Sequence, residues 1–507
     1  RFGGFTTDES ILLGLKGFAA ETLGWSVSAS YGRHHADYFI FNTVNASMGP
    51  DTPTSFNPGD YIQTDVNLNL DLTYPVSDQL FLAAGLERRN EAFEIVEGQI
   101  ESYIIGQPLA SQGFQPATNG FSGFSKVAAG RWDRTNTALY VEADFEPIDP
   151  LVLSVALRSE NFDDFGSTTN YKGAANFAVT DDLKLRGSYS TGFRAPTPGQ
   201  QNAFNITTEF NFAKNDLVNN GTVPSTSAAA ELYGGEPLDA EKSVNLSAGL
   251  VVDMAIASAT IDFFDITVKD RLTISQDFAL TETQRAQLIE EGITSAAGLQ
   301  EFRFFTNAFD SATNGVDVVV SAPVGSGTLS LAYNYTSTEI SLGDEQRTEF
   351  DRLNEQLGEL EEDPESLGQD EKDKLAEDVG KLDAQLRPLN TDRIRELETN
   401  LPKQRGNLTL TQTLTERWNA LGRASYYGEW YDSEDDRAYS GKVLFDLETS
   451  VSFNEGMSAI AIGAQNILNT YPDEHELAAD RTGNKYSQFS PFGFGGAFWY
   501  VKYSYSR

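Results

Sequence analysis

The sequence contains no cysteine, which excludes disulfides, thiolate metal sites and cysteine nucleophiles. Histidine is nearly as scarce, at 3 in 507 residues, so neither a histidine-built metal site nor a histidine-dependent catalytic centre is expected. No G-x-S-x-G, H-E-x-x-H, phosphate-binding loop or dinucleotide fingerprint is present, and the chain is read as a non-enzyme without a cofactor. Long hydrophobic runs are missing too. No stretch approaches the roughly 18 apolar residues of a membrane-spanning helix, and a hydrophobic content of 40% is low for a bundle of such helices. Spanning by strands of about 9–11 residues, in which only alternate side chains meet lipid, stays open. Basic charge is the last shortage. Lys+Arg 37 against Asp+Glu 74 gives a formal net charge of -37, which argues against a nucleic-acid partner. That acidity fits cationic ligands and a plain solvated exterior equally well.

A chain this long normally divides into several domains. Here no Pro-rich or Gly/Ser-rich linker separates folded blocks, and composition changes only at one charged stretch. The opening RFGGF lacks a cationic segment followed by an apolar run, as in a trimmed mature chain or a fragment. What the chain does have is Gly 43, Phe 33 and Tyr 20, with apolar residues at period two. Val66, Leu68, Leu70, Leu72 and Tyr74 alternate with Asp65, Asn67, Asn69, Asp71 and Thr73. A helix would scatter those five apolar residues around its 3.6-residue turn; a strand puts them on one face. Leu329, Leu331, Tyr333 and Tyr335 repeat the design, as do Leu408 and Leu410.

A soluble sandwich buries such a face in its core, whereas an outer-membrane barrel turns it to lipid. Small or amide-bearing residues on the opposite face favour the barrel. So do aromatic residues near strand ends, such as Tyr38 and Phe39 or Phe498 to Tyr500, which resemble interface girdles. Connections also alternate in length. Short turns fall near 20–23, 75–78, 147–150, 180–182, 324–327, 415–417 and 454–456. Long polar connections fall near 42–60, 96–130, 195–240, 273–304, 340–400, 431–440 and 471–490. Barrels keep short turns in the periplasm and long loops outside. The expectation is an all-β transmembrane antiparallel β-barrel of 17 visible strands, the first near 8–19 and the last near 492–506. An odd count starting outside implies that further strands precede Arg1, because hydrocarbon does not tolerate an open sheet edge.

One connection differs in kind. Phe350, Leu353, Leu357 and Leu360, then Leu375, Val379, Leu382 and Leu386, recur at helical spacing on either side of a turn at Pro364. Residues 341–399 carry 19 acids and 8 bases. They are expected to form an extracellular acidic helical hairpin inserted between barrel segments 1–340 and 400–507. It would serve as a lid or partner-docking surface, or simply as a soluble decoration.

Several stretches then become specific. LKLRGSYSTGFRAPTPGQ (183–200) carries Phe193, Arg194, Ala195 and Pro196. FFTNAFDSATNGVDVVV (304–320) ends on Gly315, Val316 and Asp317. GAQNILNTYPDE (463–474) holds Gly463, Asn466, Tyr471 and Pro472, and SPFGFGGAFWYVKYSYS closes the chain. With EKSVNLSAGL (241–250) and LPKQRGNLTLTQ (401–412), these segments, in this order, resemble the C-terminal barrel portion of a TonB-dependent receptor. The resemblance covers residues 5–506 apart from the helical insertion. It implies a bacterial outer-membrane barrel of about 22 strands, a plug and a TonB-contact box upstream of this sequence, and energised uptake through the TonB–ExbB–ExbD complex. Implied partners are outer-membrane lipid and lipopolysaccharide together with the cargo: a ferric siderophore or another chelate, a saccharide or a peptide. A passive porin or surface-binding barrel is the alternative, and an outer-membrane enzyme a more remote one. The chain ends in Arg507, where such barrels usually end in an aromatic residue.

Candidate substrate contacts are His34, His35, Tyr38, Arg88, Arg89, Arg158, Arg194, Tyr426, Tyr427 and Trp430. Their chemistry suits hydrogen bonding, stacking and anion capture, and equally ordinary girdle and lumen duties. His34 and His35 are adjacent, so on a strand they face opposite ways and cannot share one metal. Arg88 and Arg89 oppose each other in the same manner, and one of them is expected to be luminal, gripping an acidic substrate or pairing with lumen acids. Arg194 is expected to touch substrate or to organise the strand exit beside Pro196.

Overall fold

Alternation of apolar and polar residues leaves the backbone one economical solution, a sheet with one face of each kind. In the computed structural model that sheet is continuous. The structure describes residues 1–107, 109–211, 216–290, 299–341, 389, 391–432, 437–475, 485–487 and 489–506. Seventeen strands form the main sheet. They are Phe2–Ala19, Leu23–Phe41, Ser55–Ser77, Leu80–Val96, Gly130–Ile148, Leu151–Phe162, Gly166–Thr180, Leu183–Arg194, Glu241–Met254, Ala257–Ile274, Phe305–Val324, Gly327–Ser341, Gln404–Thr413, Trp418–Tyr427, Lys442–Phe453, Ser458–Gln465 and Phe498–Tyr505. Each pairs antiparallel with the next, in chain order. Among the described residues, Phe2–Ala19 and Phe498–Tyr505 are paired on one side only.

The register carries the alternation from strand to strand. Leu70 stands opposite both Val27 and Leu86, and Leu331 opposite both Val320 and Leu408. The resulting apolar face is open to the surroundings: Leu68 and Leu246 are each 49% exposed and Ile462 53%. Apolar area left in water costs about 25 cal/mol per Å², so a face of this extent calls for an apolar medium around it.

At one end of the sheet the strands are joined at 20–22, 78–79, 149–150, 181–182, 255–256, 325–326, 414–417 and 454–457. Ala20 (φ 50) and Glu21 (φ 65) occupy the left-handed region, which matches the twist of a tight hairpin. The other end carries the connections 42–54, 97–129, 163–165, 195–240, 275–304, 342–403, 428–441 and 466–497. Two strand limits differ from the sequence reading. The first strand starts at Phe2, and the last only at Phe498, because Gly496 at φ 72 keeps the glycine-rich FGFGG run irregular.

Buried cores sit in the long connections. Strands Asn205–Asn211, Asp216–Thr222, Glu301–Arg303 and Phe278–Ala279 form a small second sheet. Ile206, Val223, Phe278, Leu288, Phe302 and Phe304 close around it. Gly327–Ser341 and Gln404–Thr413 pair directly, so the main sheet passes the acidic insertion without a break. Helix Thr391–Thr399 belongs to that insertion. Residues 342–388, where the helical hairpin was expected, lie outside the described residues.

Candidate functional site

The polar face is most heavily charged on the strands from Ser55–Ser77 to Leu151–Phe162. Arg89 donates to Asp65 Oδ2 at 2.6 Å and pairs with Glu91 Oε1 at 2.7 Å. Arg134 is buried. Its Nε donates to Glu91 Oε2 at 3.0 Å and its Nη1 to the carbonyl of Pro196, while the rings of Phe162 and Phe165 lie 5.4 and 5.9 Å from its guanidinium. Arg158 bridges Glu87 (2.8 Å) and Glu160 (2.6 Å), and Asn136 Nδ2 also donates to Glu160. Tyr140 extends the run by donating to Asp71 at 2.7 Å. Register explains the assembly: strand alternation sends 87, 89 and 91 to the same face as 65 and 71, and pairing across the sheet brings 134, 158 and 160 beside them. All three arginines are committed to wall carboxylates, which makes this face a rigid, anion-saturated surface rather than an open grip for a second anion.

Above this wall two long connections interlock. Phe121 and Phe124, from 97–129, pack on Tyr38 and Tyr61 of the polar face with centroid separations of 5.6 and 4.7 Å respectively. Tyr61 donates its hydroxyl to the carbonyl of Phe204, in 195–240, at 2.5 Å, and Ser122 N–H donates to Ile206 O at 3.1 Å. Phe124 is fully buried. Together they form an aromatic cap at the long-connection end of the charged strands. Beside it lies a cavity of about 270 Å³, walled by Trp132, Phe204, Leu288 and Leu299 with Ser227 and Asn202 among its polar contacts. Elsewhere in 97–129, burial and a hydrogen bond to Glu97 push the Tyr103 hydroxyl up to about 12.

The residues singled out in the sequence divide among different places. His34 lies on the polar face against Asp8 at 2.7 Å, and His35 on the apolar face against Asp60 at 2.9 Å. Tyr38 belongs to the cap, and Arg89 and Arg158 to the charged wall. Arg88 is cross-strand from Leu68 and therefore on the apolar face. Arg194 makes two bonds to Glu241, at 2.7 and 2.9 Å, and Glu241 in turn accepts from Leu272 N–H at 2.8 Å. Tyr426 lies on the apolar face with Val443, while Tyr427 lies on the polar face and packs at a tilt on Phe492 at 5.3 Å. Trp430 is buried between Tyr439 and Phe492. Arg89 and Arg158 are brought together in the charged wall, and Tyr427 and Trp430 in the aromatic cluster around Phe492. Glu91, Arg134, Phe121 and Phe124 were not foreseen; nothing in their local sequence distinguishes them from ordinary strand and loop residues.

The motif residues are architectural in their contacts. Phe193 meets Phe162 edge-on at 5.6 Å, Ala195 continues the strand exit, and Pro196 is the buried acceptor for Arg134. A Cβ at Gly315 would stand 2.3 Å from the Tyr335 carbonyl. Val316 faces outward opposite Phe263, and Asp317 accepts from Asn334 Nδ2 at 2.7 Å. Gly463 leaves room for the Tyr500 ring. Asn466, at φ 49, donates to Thr470 O at 2.7 Å and accepts from Thr470 N–H at 2.9 Å, a turn that delivers Tyr471 to Tyr486 at 5.5 Å, with Pro472 following. Among the described residues no group of three or more histidine or acidic side chains is placed to hold a metal ion.

The family model for the TonB dependent receptor-like beta-barrel matches residues 3–467. The chain belongs to this family. Solved structures agree on the fold. The siderophore receptor PirA from Acinetobacter baumannii is 13% identical with a TM-score of 0.61, over 99% of this chain and 62% of that one. The FrpB iron transporter from Neisseria meningitidis is 12% identical with a TM-score of 0.58, over 99% and 63%. A mutant of the ferric enterobactin receptor from Pseudomonas aeruginosa is 12% identical with a TM-score of 0.62, over 98% and 61%. The chain therefore spans less than two thirds of the length of these neighbours. No curated protein matches it. TonB-dependent receptors are outer-membrane transporters, not enzymes, and barrels of that kind turn an apolar face to lipid and a polar face inward.

Proposed function

We propose that this chain forms the wall and mouth of an outer-membrane receptor that takes up a scarce substrate with energy delivered through TonB. The family match across residues 3–467 is the observation that carries this reading. On it, the short turns lie in the periplasm and the long connections outside the cell. A plug, a TonB-contact segment and the remaining strands would come from the part of the receptor that this chain does not span. TonB with ExbB and ExbD would act on that plug, and residues 341–399 would offer a surface to a partner outside.

A ferric siderophore is the cargo to test first. The three fold neighbours named above are a siderophore receptor, a ferric enterobactin receptor and an iron transporter, which supports an iron chelate ahead of a saccharide or peptide. His34, Tyr38, Arg194 and Tyr427 are the mouth-facing residues to substitute first in mapping contacts. Uptake of radiolabelled iron, supplied as a panel of ferric siderophores, decides the matter in cells with and without TonB. The expected result is accumulation that saturates with one chelate and disappears without TonB or with a protonophore. Uptake that persists in both conditions and rises linearly with concentration would overturn the reading in favour of a passive porin.

A further inference from the structure

Six arginines lie between residues 30 and 160, and five of them are held by carboxylates in the structure. Arg33 pairs with Glu9, Arg89 with Asp65 and Glu91, Arg131 with Asp133 and Glu94, Arg134 with Glu91, and Arg158 with Glu87 and Glu160. Arg88 is the exception: among the described residues it has no ion pair, hydrogen bond or ring contact, in a chain whose acids outnumber its bases two to one. It also points the other way from its neighbour Arg89. The register sets it beside Leu68, which stands opposite Ala29, which stands opposite Leu13.

Those residues line a shallow groove of about 490 Å³ on the apolar face, walled by Leu13, Leu15, Val27, Leu68, Leu70 and Leu86, with Arg88 at its margin as the lone charged side chain of the lining. Ala29 supplies the depth, since a small side chain there lies between the longer Leu13 and Leu68. Farther along the strand toward the long-loop end the same face mixes polar groups with apolar ones, since Asn90 stands between Thr135 and Val66. The groove therefore runs along the apolar belt and has a cation at its end toward the long loops. An arginine on a lipid-facing surface is costly unless its head reaches an anion at the interface.

We infer that this groove and Arg88 form a binding site for an anionic membrane lipid, with an acyl chain along the groove and a headgroup phosphate on the guanidinium. The inference rests on the transmembrane reading above, and it adds a ligand on the outside of the wall to the cargo on the inside. Charge complementarity selects the occupant: the groove is apolar enough for a hydrocarbon chain, and its one charge is an unsatisfied cation suited to two-pronged phosphate contact.

The test is native mass spectrometry of the full-length receptor in neutral detergent, titrated in parallel with phosphatidylglycerol and phosphatidylcholine. The wild type should hold one phosphatidylglycerol more tightly than phosphatidylcholine. Arg88→Gln should weaken that binding about fivefold, the effect of one basic group beside anionic lipid. Arg88→Lys should keep most of it, and Ala29→Trp should remove it by filling the groove while leaving Arg88 in place. Equal retention of the two lipids, or no change in Arg88→Gln and Ala29→Trp, overturns the site. Displacement of phosphatidylglycerol by inorganic phosphate alone also overturns it, since the acyl groove would then add nothing. Flotation of each variant with vesicles separates the two readings. A receptor that floats but shows no lipid preference loses only this site, whereas one that never floats loses the transmembrane reading as well.

Discussion

Two stretches of the same inner wall solve the same problem in different ways. On strands Ser55–Ser77 to Leu151–Phe162, guanidinium groups are clamped between carboxylates: Arg89, Arg134 and Arg158 with Asp65, Glu87, Glu91 and Glu160. On strands Phe305–Val324 to Trp418–Tyr427, neutral pairs do the work. Thr313 meets Thr338 at 3.0 Å, Ser425 donates to Asn407 at 2.7 Å, and Ser321 meets Ser330 at 3.4 Å. The difference follows what each stretch supports. The charged wall anchors the aromatic cap and, through Arg134 and the Pro196 carbonyl, the exit of the Phe193–Pro196 motif. Among the described residues the neutral wall meets a smaller aromatic cluster, Trp430, Tyr439 and Phe492 against Tyr427, and its groups can exchange protein partners for water at little cost.

The largest effect should come from cutting the clamp. Arg134→Ala strips the buried Glu91 of a partner and frees Pro196, and a broken buried ion pair costs about 3–5 kcal/mol. Denaturant unfolding of the receptor should show that loss, with faster proteolysis in 195–240. Stability within error of the wild type would mean that the charged wall is no more demanding than the neutral one. Ser425→Ala, which removes the donor to Asn407, sharpens the contrast from the other side. Its loss should be about 1 kcal/mol, as for an ordinary hydrogen bond, and a larger loss would erase the distinction. The smallest effect is one of pH. Tyr103 titrates higher when folded than the usual tyrosine value of 10.0, being pushed up to about 12. Its contribution to the stability of the 97–129 connection is therefore complete below about pH 10 and is lost as pH rises through about 12. Hydrogen exchange in 97–129 should quicken over that interval and stay unchanged between neutral pH and pH 9; Tyr103→Phe should abolish the dependence.

The faces of the sheet were legible because strand alternation is local. Val66 to Tyr74 announce their side of the sheet without any partner, and so do Leu329 to Tyr335. The opposition of Arg88 to Arg89, and of His34 to His35, follows from the same rule. The clamp was not legible. Glu91, Arg134 and Pro196 are about 40 and 60 residues apart, and which residues meet across strands depends on register, which a single strand does not disclose. The long connections misled for a related reason. Read as polar, they conceal sparse aromatic residues such as Phe121, Phe124 and Phe204 that form a core only once two loops meet.

That meeting has a mechanical consequence. Tyr61, Phe204, Ser122 and Ile206 tie 97–129 and 195–240 to each other and to the wall, so the two loops share one set of motions instead of having two. A ligand cannot displace either alone; it must lift the pair as a single flap or pass beside it. Changes of length in one loop are then tolerated only with matching changes in the other, and the two segments should vary together among relatives even though nearly a hundred residues separate their starts.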